Sequence, residues 1–188
     1  MQPVSHPTDE DLLRLLRGGN EEAFTTLYRR WSSRIYRFAC QMSGSPQIAE
    51  EITQDTFMTL LQNLRTFDTA RGSLLSFLYG VSRNLLRRQF EREEDMELVT
   101  TYEGVAEELT AGAGLFEELA RRENIEAVRQ AVLSLPPTYR EALVLCDLQE
   151  LNYEQAAMAL SCPIGTVRSR LHRGRAMLYA KLQNRCCV

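Results

Sequence analysis

The sequence has few of the residues and patterns from which metal sites and catalytic centres are built. Its 188 residues include two histidines and five cysteines, and the cysteines have no regular spacing. This favours reduced thiols over a zinc site or a disulfide framework. No nucleophile–base pair, phosphate-binding glycine loop or metal-ligand spacing is recognisable either. We therefore expect a protein that is not an enzyme and binds no cofactor. A redox or metal switch built on the cysteines, tested at Cys186 and Cys187, is an alternative function.

Long apolar stretches are also missing. No run approaches the roughly 20 apolar residues that a membrane-spanning helix needs, and the N-terminus has no basic start followed by an apolar segment. A hydrophobic content of 44% and a charged content of 25% are typical of folded globular proteins. The sequence predicts a soluble, cytoplasmic protein, long enough for one sizeable domain or two small ones.

Patterns typical of β-strands are nearly absent, because no alternation of apolar and polar residues persists. Apolar residues instead recur every three or four positions, and Ser45 followed by Pro46 is typical of a helix start. The sequence therefore predicts an all-α fold with two small helical domains. The predicted helices cover residues 9–17 and 21–42, a segment that opens at Ser45, residues 74–92, a segment from near 115 to the break at Pro136–Pro137, and residues 138–148, 153–160 and 163–184.

Negative charge is concentrated in one segment. Residues 91–118 contain 10 acidic residues and one arginine, whereas residues 1–90 and 119–188 carry net charges of +2 and +4. The segment includes "TAGAG" and has little helical periodicity, which predicts a linker between two domains. On the residues alone, this linker is either a solvated tether or a segment that repels or mimics nucleic acid.

Acidic residues are absent from Gly165 to the C-terminus, although four arginines and a histidine lie between Arg168 and Arg175. The stretch "YEQAAMALSCPIGTVRSRLHRGRAMLYAKL" predicts a short helix, a tight turn and a longer helix. A solvated helix face normally contains acidic residues, so the pattern favours contact with DNA phosphates and base edges. The apolar side of the longer helix consists of Val167, Leu171, Leu178 and Leu182, and the opposite side of Arg168, Ser169, His172, Arg173 and Ala176.

A second group of polar and aromatic residues lies in the first half. The segment from "AEEITQDTF" onward has a polar helix face and then aromatic residues interleaved with arginines. Rings beside cations suit unstacked single-stranded bases, and the alternative is that Phe77 and Tyr79 belong to the core. The polar face is Glu50, Glu51, Gln54 and Asp55, and the aromatic and basic residues are Phe67, Arg71, Phe77, Tyr79, Arg83, Asn84, Arg87 and Arg88.

Taken together, "AEEITQDTF", "FLYGVSRN" and "LPPTYREALVL…LNYEQAAMALSCPIGTVRSRLHRGRAML" resemble the extracytoplasmic-function group (group 4) of the sigma-70 family of bacterial sigma factors. The resemblance covers roughly residues 9–90 and 119–183. It implies region 2 over residues 1–92, an acidic linker over 93–118 and a region 4 helix-turn-helix over 119–188. It also implies binding to core RNA polymerase, promoter-specific initiation with help in opening the DNA, and control by an anti-sigma factor.

The resemblance implies roles for single residues as well. The residues expected to dock on the polymerase are Glu51, Gln54 and Asp55. Those expected to read and open the −10 element are Phe67, Arg71, Ser73, Phe77, Asn84, Arg87 and Arg88. Those expected to recognise the −35 element are Thr166, Arg168, Ser169, His172 and Arg173. The acidic linker would thread toward the RNA exit channel as a mimic of nascent RNA, which we favour over a simple tether.

Three positions depart from the family pattern. Phe77 stands where tryptophan is usual, and an acidic position common after Asn84 is missing. Cys146 stands where some relatives have a contacting arginine. These departures affect the expected promoter sequence rather than the class. A DNA-binding regulator that acts without polymerase remains an alternative, although it leaves the polar face and the aromatic–basic segment unexplained.

Overall fold

The computed structural model describes residues 7–68, 72–95 and 115–186. Within these ranges no residue forms a β-strand, so the prediction of an all-α fold is confirmed. Arg71 and residues 96–114 of the predicted linker lie outside them. The helices are α1 (Asp9–Arg17), α2 (Glu21–Ser43), α3 (Pro46–Gln62), α4 (Leu74–Asp95), α5 (Leu115–Leu133), α6 (Pro137–Leu143) with a π-helical turn directly after it (Val144–Leu148), α7 (Tyr153–Leu160) and α8 (Ile164–Cys186).

Local capping explains where several helices begin. Thr8 forms a capping box with Asp11 at the start of α1, and Asn20 accepts a hydrogen bond from the Ala23 backbone before α2. Ser45 caps α3, with Pro46 as its first residue. Each cap satisfies a backbone N–H group that has no partner inside its helix. The helix starts near residues 9, 21 and 46 were therefore predictable from the sequence.

Helices α1 to α4 form the N-terminal half of the molecule. Their apolar faces bury Leu27, Phe38, Phe57 and Leu78 almost completely. A buried polar contact also joins two of these helices, since the hydroxyl groups of Thr56 and Ser82 lie 2.9 Å apart between α3 and α4.

Helices α5 to α8 form the C-terminal half. Helix α8 approaches α6 closely at Gly174, where an added Cβ would lie 3.2 Å from the carbonyl oxygen of Tyr139. Helices α7 and α8 are joined by a short turn in which Ser161 has a positive φ of 50°. They form the predicted helix-turn-helix.

One hydrophobic core runs through both halves. Helix α7 packs along α4, and an added Cβ at Gly80 would lie 3.4 Å from the carbonyl oxygen of Ala159. The arginines of α5 and α6 donate hydrogen bonds to the carbonyl end of α2, from Arg129 to Gly44 at 2.9 Å and from Arg140 to Met42 at 2.7 Å. The predicted domain boundaries, 1–92, 93–118 and 119–188, stay predictions. Among the described helices, none has the length and apolar character that crossing a membrane requires.

Candidate nucleic-acid interface

The basic side of α8 faces solvent along its first turns, whereas its apolar side is covered. Val167 and Leu171 are 0% and 2% exposed. With about 100° between successive residues, the predicted −35 residues occupy the other side of the helix, so the structure brings them together. Thr166 is half-buried, and the exposed residues of this set are Arg168, Ser169, His172 and Arg173.

An aromatic ring of the preceding helix holds Arg168. The guanidinium carbon lies 5.4 Å from the ring centroid of Tyr153, the first residue of α7. This is a cation–π contact, and both side chains remain exposed. The contact favours positions of the Arg168 guanidinium beside the N-terminal end of α7.

Arg175 differs from the other arginines of α8. Its Nε and Nη2 donate hydrogen bonds of 2.9 and 2.5 Å to the two carboxylate oxygens of Asp147 in the π-helical turn. These hydrogen bonds hold the pKa of the Arg175 guanidinium above its usual value. Arg175 therefore ties α8 to the end of α6.

Phe67 and Phe77 line one pocket at the start of α4. Their ring centroids are 4.9 Å apart and their planes are tilted by 58°. The pocket has a volume of about 370 Å³, and we call it the aromatic pocket. Four of the seven predicted −10 residues share it, namely Phe67, Ser73, Phe77 and Asn84, together with Met158 and Ser161 from α7 and the turn after it.

Hydrogen bonds from neighbouring elements fix both sides of the aromatic pocket. Arg17 of α1 donates to the carbonyl oxygens of Leu64 and Phe67, at 3.0 and 2.6 Å. Ser73 Oγ accepts a hydrogen bond of 3.1 Å from the Ser76 backbone N–H. Ser73 thus caps the N-terminus of α4, a structural task in addition to its predicted role.

The remaining basic residues of the −10 set lie beyond the aromatic pocket. Arg87 and Arg88 are exposed on the turn of α4 that follows Asn84. Arg87 has an ion pair of 3.4 Å with Glu91, and both side chains are well exposed. Such a pair stabilises the helix little and is readily exchanged for another anion.

Tyr79 belongs to the core. This is one of the two alternatives that the sequence left open for this ring, the other being strand binding. The ring is 0% exposed, and its hydroxyl donates a hydrogen bond of 3.0 Å to Gln149 Oε1 in the C-terminal half. Burial raises the pKa of the Tyr79 phenol to about 12. Phe77 differs, because its half-buried ring lines the aromatic pocket.

The polar face of α3 is open to solvent. Glu51, Gln54 and Asp55 are all exposed, and Met58, one turn after Gln54, is 54% exposed. A groove of about 750 Å³ between α2 and α3 borders this face at Gln54 and is also lined by Tyr28. The three predicted docking residues therefore lie on one accessible helix face.

Long-range packing adds residues that sequence reasoning missed. Met158 and Ser161 line the aromatic pocket although they lie in the helix-turn-helix. No spacing or composition signal links them to residues 67–84. The only related feature of the sequence is the pair of small residues Gly80 and Ala159, which permit close approach of α4 and α7.

Two cysteines of the described part of the chain are poorly suited to redox chemistry. Burial raises the pKa of the Cys40 and Cys146 thiols, which lowers their thiolate fraction and reactivity. Among the described residues, no group of histidines, cysteines and acids has the arrangement of a metal site. Cys187 and the side chain of Cys186 lie outside the described part, so that alternative stays untested.

Two family models match the chain in the predicted order. The model described as Sigma-70 region 2 matches residues 27–95, which contain the aromatic pocket and the α3 face. The model described as Sigma-70, region 4 matches residues 125–178, which contain the helix-turn-helix.

Named relatives agree with these matches. The chain is 33% identical to the ECF RNA polymerase sigma factor SigE of Mycolicibacterium smegmatis over 81% of its own length and 58% of that relative. It is 28% identical to the ECF RNA polymerase sigma factor SigW of Bacillus subtilis, covering 92% of this chain and 95% of the relative. Its fold is similar to that of the sigma factor RpoE of Bartonella quintana, solved with the anti-sigma factor NepR, with a TM-score of 0.69 and 24% identity over 85% and 96% of the two chains.

Proposed function

Because the chain belongs to the extracytoplasmic-function sigma factors of the sigma-70 family, we propose that it binds core RNA polymerase and directs it to promoters through two separate DNA surfaces. The observation that carries this proposal is that one chain combines the basic side of α8 with the aromatic pocket at α4. A basic helix suits duplex DNA, whereas an aromatic pocket beside arginines suits an unstacked strand. A factor that opens promoters needs both.

The C-terminal half would read the −35 element with α8 in the major groove. Arg168 and Arg173 are the residues that can pair with guanine edges or phosphates, and Ser169 is short enough to allow close approach. Thr166 and His172 complete the proposed contact surface. Tyr153 would act as a positioning residue, since it holds the Arg168 guanidinium at the edge of this surface.

The positioning role predicts a selective loss. Tyr153→Leu should lower the preference for one −35 base pair by about threefold, because an exposed cation–π contact is worth about 0.5–1 kcal/mol. Tyr153→Phe keeps the ring face and should retain the preference. Transcription from promoters changed singly at each −35 position measures this. In an Arg168→Ala background the effect of Tyr153→Leu should vanish, and an undiminished effect there would exclude the positioning role.

The N-terminal half would capture one strand of the −10 element. A base that leaves the duplex stack costs a few kcal/mol, which stacking in a protein pocket offsets. Phe67 and Phe77 would supply the ring faces, and Asn84 the hydrogen bonds to a base edge. Arg71, Arg87 and Arg88 would bind the strand's phosphates. Ser73 would contribute through the start of α4, which it caps.

The exposed α3 face would dock on the polymerase, and a substitution there tests the proposal. Asp55→Ala should weaken binding to core RNA polymerase by about tenfold, the scale of a central interface contact. Transcription should therefore fall on every promoter alike. Glu22→Ala is the matched control, since Glu22 is an exposed acid on α2 rather than on α3. Titration of labelled protein with bacterial core polymerase gives both affinities. Equal affinities for the Asp55→Ala and wild-type proteins would exclude the docking role.

The same experiment distinguishes the proposed sigma factor from a regulator that acts without polymerase. Such a regulator would bind duplex DNA tightly by itself and would not bind core polymerase at all. We propose instead that the free protein binds duplex weakly and that the polymerase supplies a shared scaffold with a high local concentration.

Further properties follow from this role. We propose that an anti-sigma factor controls the protein, in line with the structural likeness to a sigma factor solved with one. Action on polymerase and promoter DNA would place the protein in the cytoplasm and would require no catalytic site of its own. The assignment to group 4 and the linker's mimicry of nascent RNA stay predictions.

A further inference from the structure

A buried ion pair joins the two halves of the molecule. Arg83 Nε of α4 lies 2.9 Å from Glu141 Oε2 of α6, and the two side chains are only 15% and 5% exposed. Neither of these two atoms has a hydrogen bond of good geometry to another described atom, so the contact is ionic. Burying two charges costs free energy that their attraction must offset, and this attraction exists only while the halves are packed together.

Arg83 lies on the part of α4 that borders the proposed strand surface. It follows Gly80 by one turn and precedes Arg87 by one turn, and residues three or four apart share a helix side. Gly80 and Asn84 both line the aromatic pocket. Arg83 is therefore the cation of α4 nearest in sequence to that pocket, yet it points its charge at the C-terminal half.

The C-terminal half also contributes to the lining of the aromatic pocket. Met158 and Ser161 form part of its lining. An added Cβ at Gly72 would lie 2.7 Å from the sulfur of Met158, so this side chain sits against the backbone that leads into α4. A DNA strand entering the aromatic pocket would compete with α7 for the same space.

The packed arrangement is too short to bind both promoter elements. The −35 and −10 elements are about 25 base pairs apart, which is about 85 Å of duplex. A compact chain of this length has a radius of gyration of about 16 Å. The two halves must separate on a promoter, and the covalent length of residues 96–114 allows a separation of up to about 65 Å.

We propose that Arg83 is a further strand-binding residue, that Glu141 neutralises it in the packed form, and that separation of the halves on the polymerase frees it for a DNA phosphate. The inference rests on the proposed function. It adds Arg83 to the strand-binding residues and identifies the contact that keeps Arg83 from binding DNA in the free protein. In the free protein this ion pair exists only in the packed form, and it withholds one cation from DNA. Strand binding is then coupled to polymerase binding without an anti-sigma factor.

Strand binding by the free protein tests the restraint. Glu141→Gln removes the charge with little change in shape and should tighten binding to a fluorescein-labelled, random-sequence single-stranded DNA by about tenfold, because the competent fraction rises. The double variant Arg83→Gln/Glu141→Gln should bind the same DNA several-fold more weakly than the Glu141→Gln variant. Circular dichroism melting establishes that each variant is folded. A folded Glu141→Gln protein with wild-type affinity, or a double variant with the full gain, would overturn the proposal.

Binding by the complex with core polymerase tests the phosphate contact and does not depend on the Glu141 variant folding. Each phosphate contact on a single strand contributes about 0.7 to the slope of log affinity against log salt concentration. Arg83→Gln should reduce that slope by about 0.7, whereas Glu141→Gln and the exposed control Arg29→Gln should keep it. An unchanged slope for Arg83→Gln, in a complex that still forms, refutes the inference and leaves the proposed function intact. Failure of the wild-type protein to bind polymerase would refute the proposed function itself.

Discussion

Replacing Phe77 with leucine should reduce formation of the open promoter complex by about ten- to a hundredfold, with no change in affinity for core polymerase. Leucine keeps apolar volume beside Phe67 but has no flat face on which a base can stack. Stacking on an aromatic side chain is worth about 1–3 kcal/mol per base, which corresponds to this range. The ring is available for the purpose because it lines the aromatic pocket and is only half-buried. Fluorescence of 2-aminopurine in the −10 element measures opening directly.

Two further variants separate stacking from packing. Phe77→Trp introduces the residue that is usual in the family and should open promoters at least as well as the wild type. Phe38→Leu truncates a fully buried ring and should lower thermal stability, yet leave opening by the folded protein unchanged. Wild-type opening by Phe77→Leu would mean that Phe77 acts only as a wall of the pocket.

The features that the sequence predicted well are local ones. Helix starts at Ser45–Pro46 and Thr8 depend on side chains that bond to backbone three residues away. The residues of the aromatic pocket from Phe67 to Asn84 lie within a few turns of each other, so a short sequence pattern can specify their proximity. The basic side of α8 follows from helical periodicity alone.

The features that escaped prediction depend on which surfaces meet. The sequence left Tyr79 open between strand binding and the core, and nothing in it indicated that Gln149 of the other half accepts the hydrogen bond of its hydroxyl. The sequence placed Arg83 among the candidate strand-binding residues, and nothing in it indicated that α4 and α6 pack together and pair Arg83 with Glu141. The π-helical turn after α6 has the same apolar spacing as an α-helix, so its change of hydrogen-bonding pattern is invisible in the sequence.

The second large effect is expected at α8. Replacing both Arg168 and Arg173 with alanine should lower transcription from promoters that depend on a −35 element by about a hundredfold or more. A good bidentate contact from arginine to guanine is worth about 1–3 kcal/mol, and two such losses on an exposed helix side add approximately. Polymerase affinity should be unchanged, since the proposed docking face lies on α3.

Single variants then distinguish base reading from phosphate binding. Loss of a base-reading arginine relaxes the preference at one −35 position, whereas loss of a phosphate contact weakens all sequences and reduces the salt slope by about 0.9. We expect the first pattern for Arg168, because the Tyr153 ring favours one set of positions for its guanidinium, and such a bias favours a directional contact. Arg175→Gln serves as the control within the same helix: its side chain is committed to Asp147, so it should change stability but not base preference. A change of base preference in Arg175→Gln, with none in Arg168→Ala, would mean that α8 enters the groove rotated from the orientation proposed here.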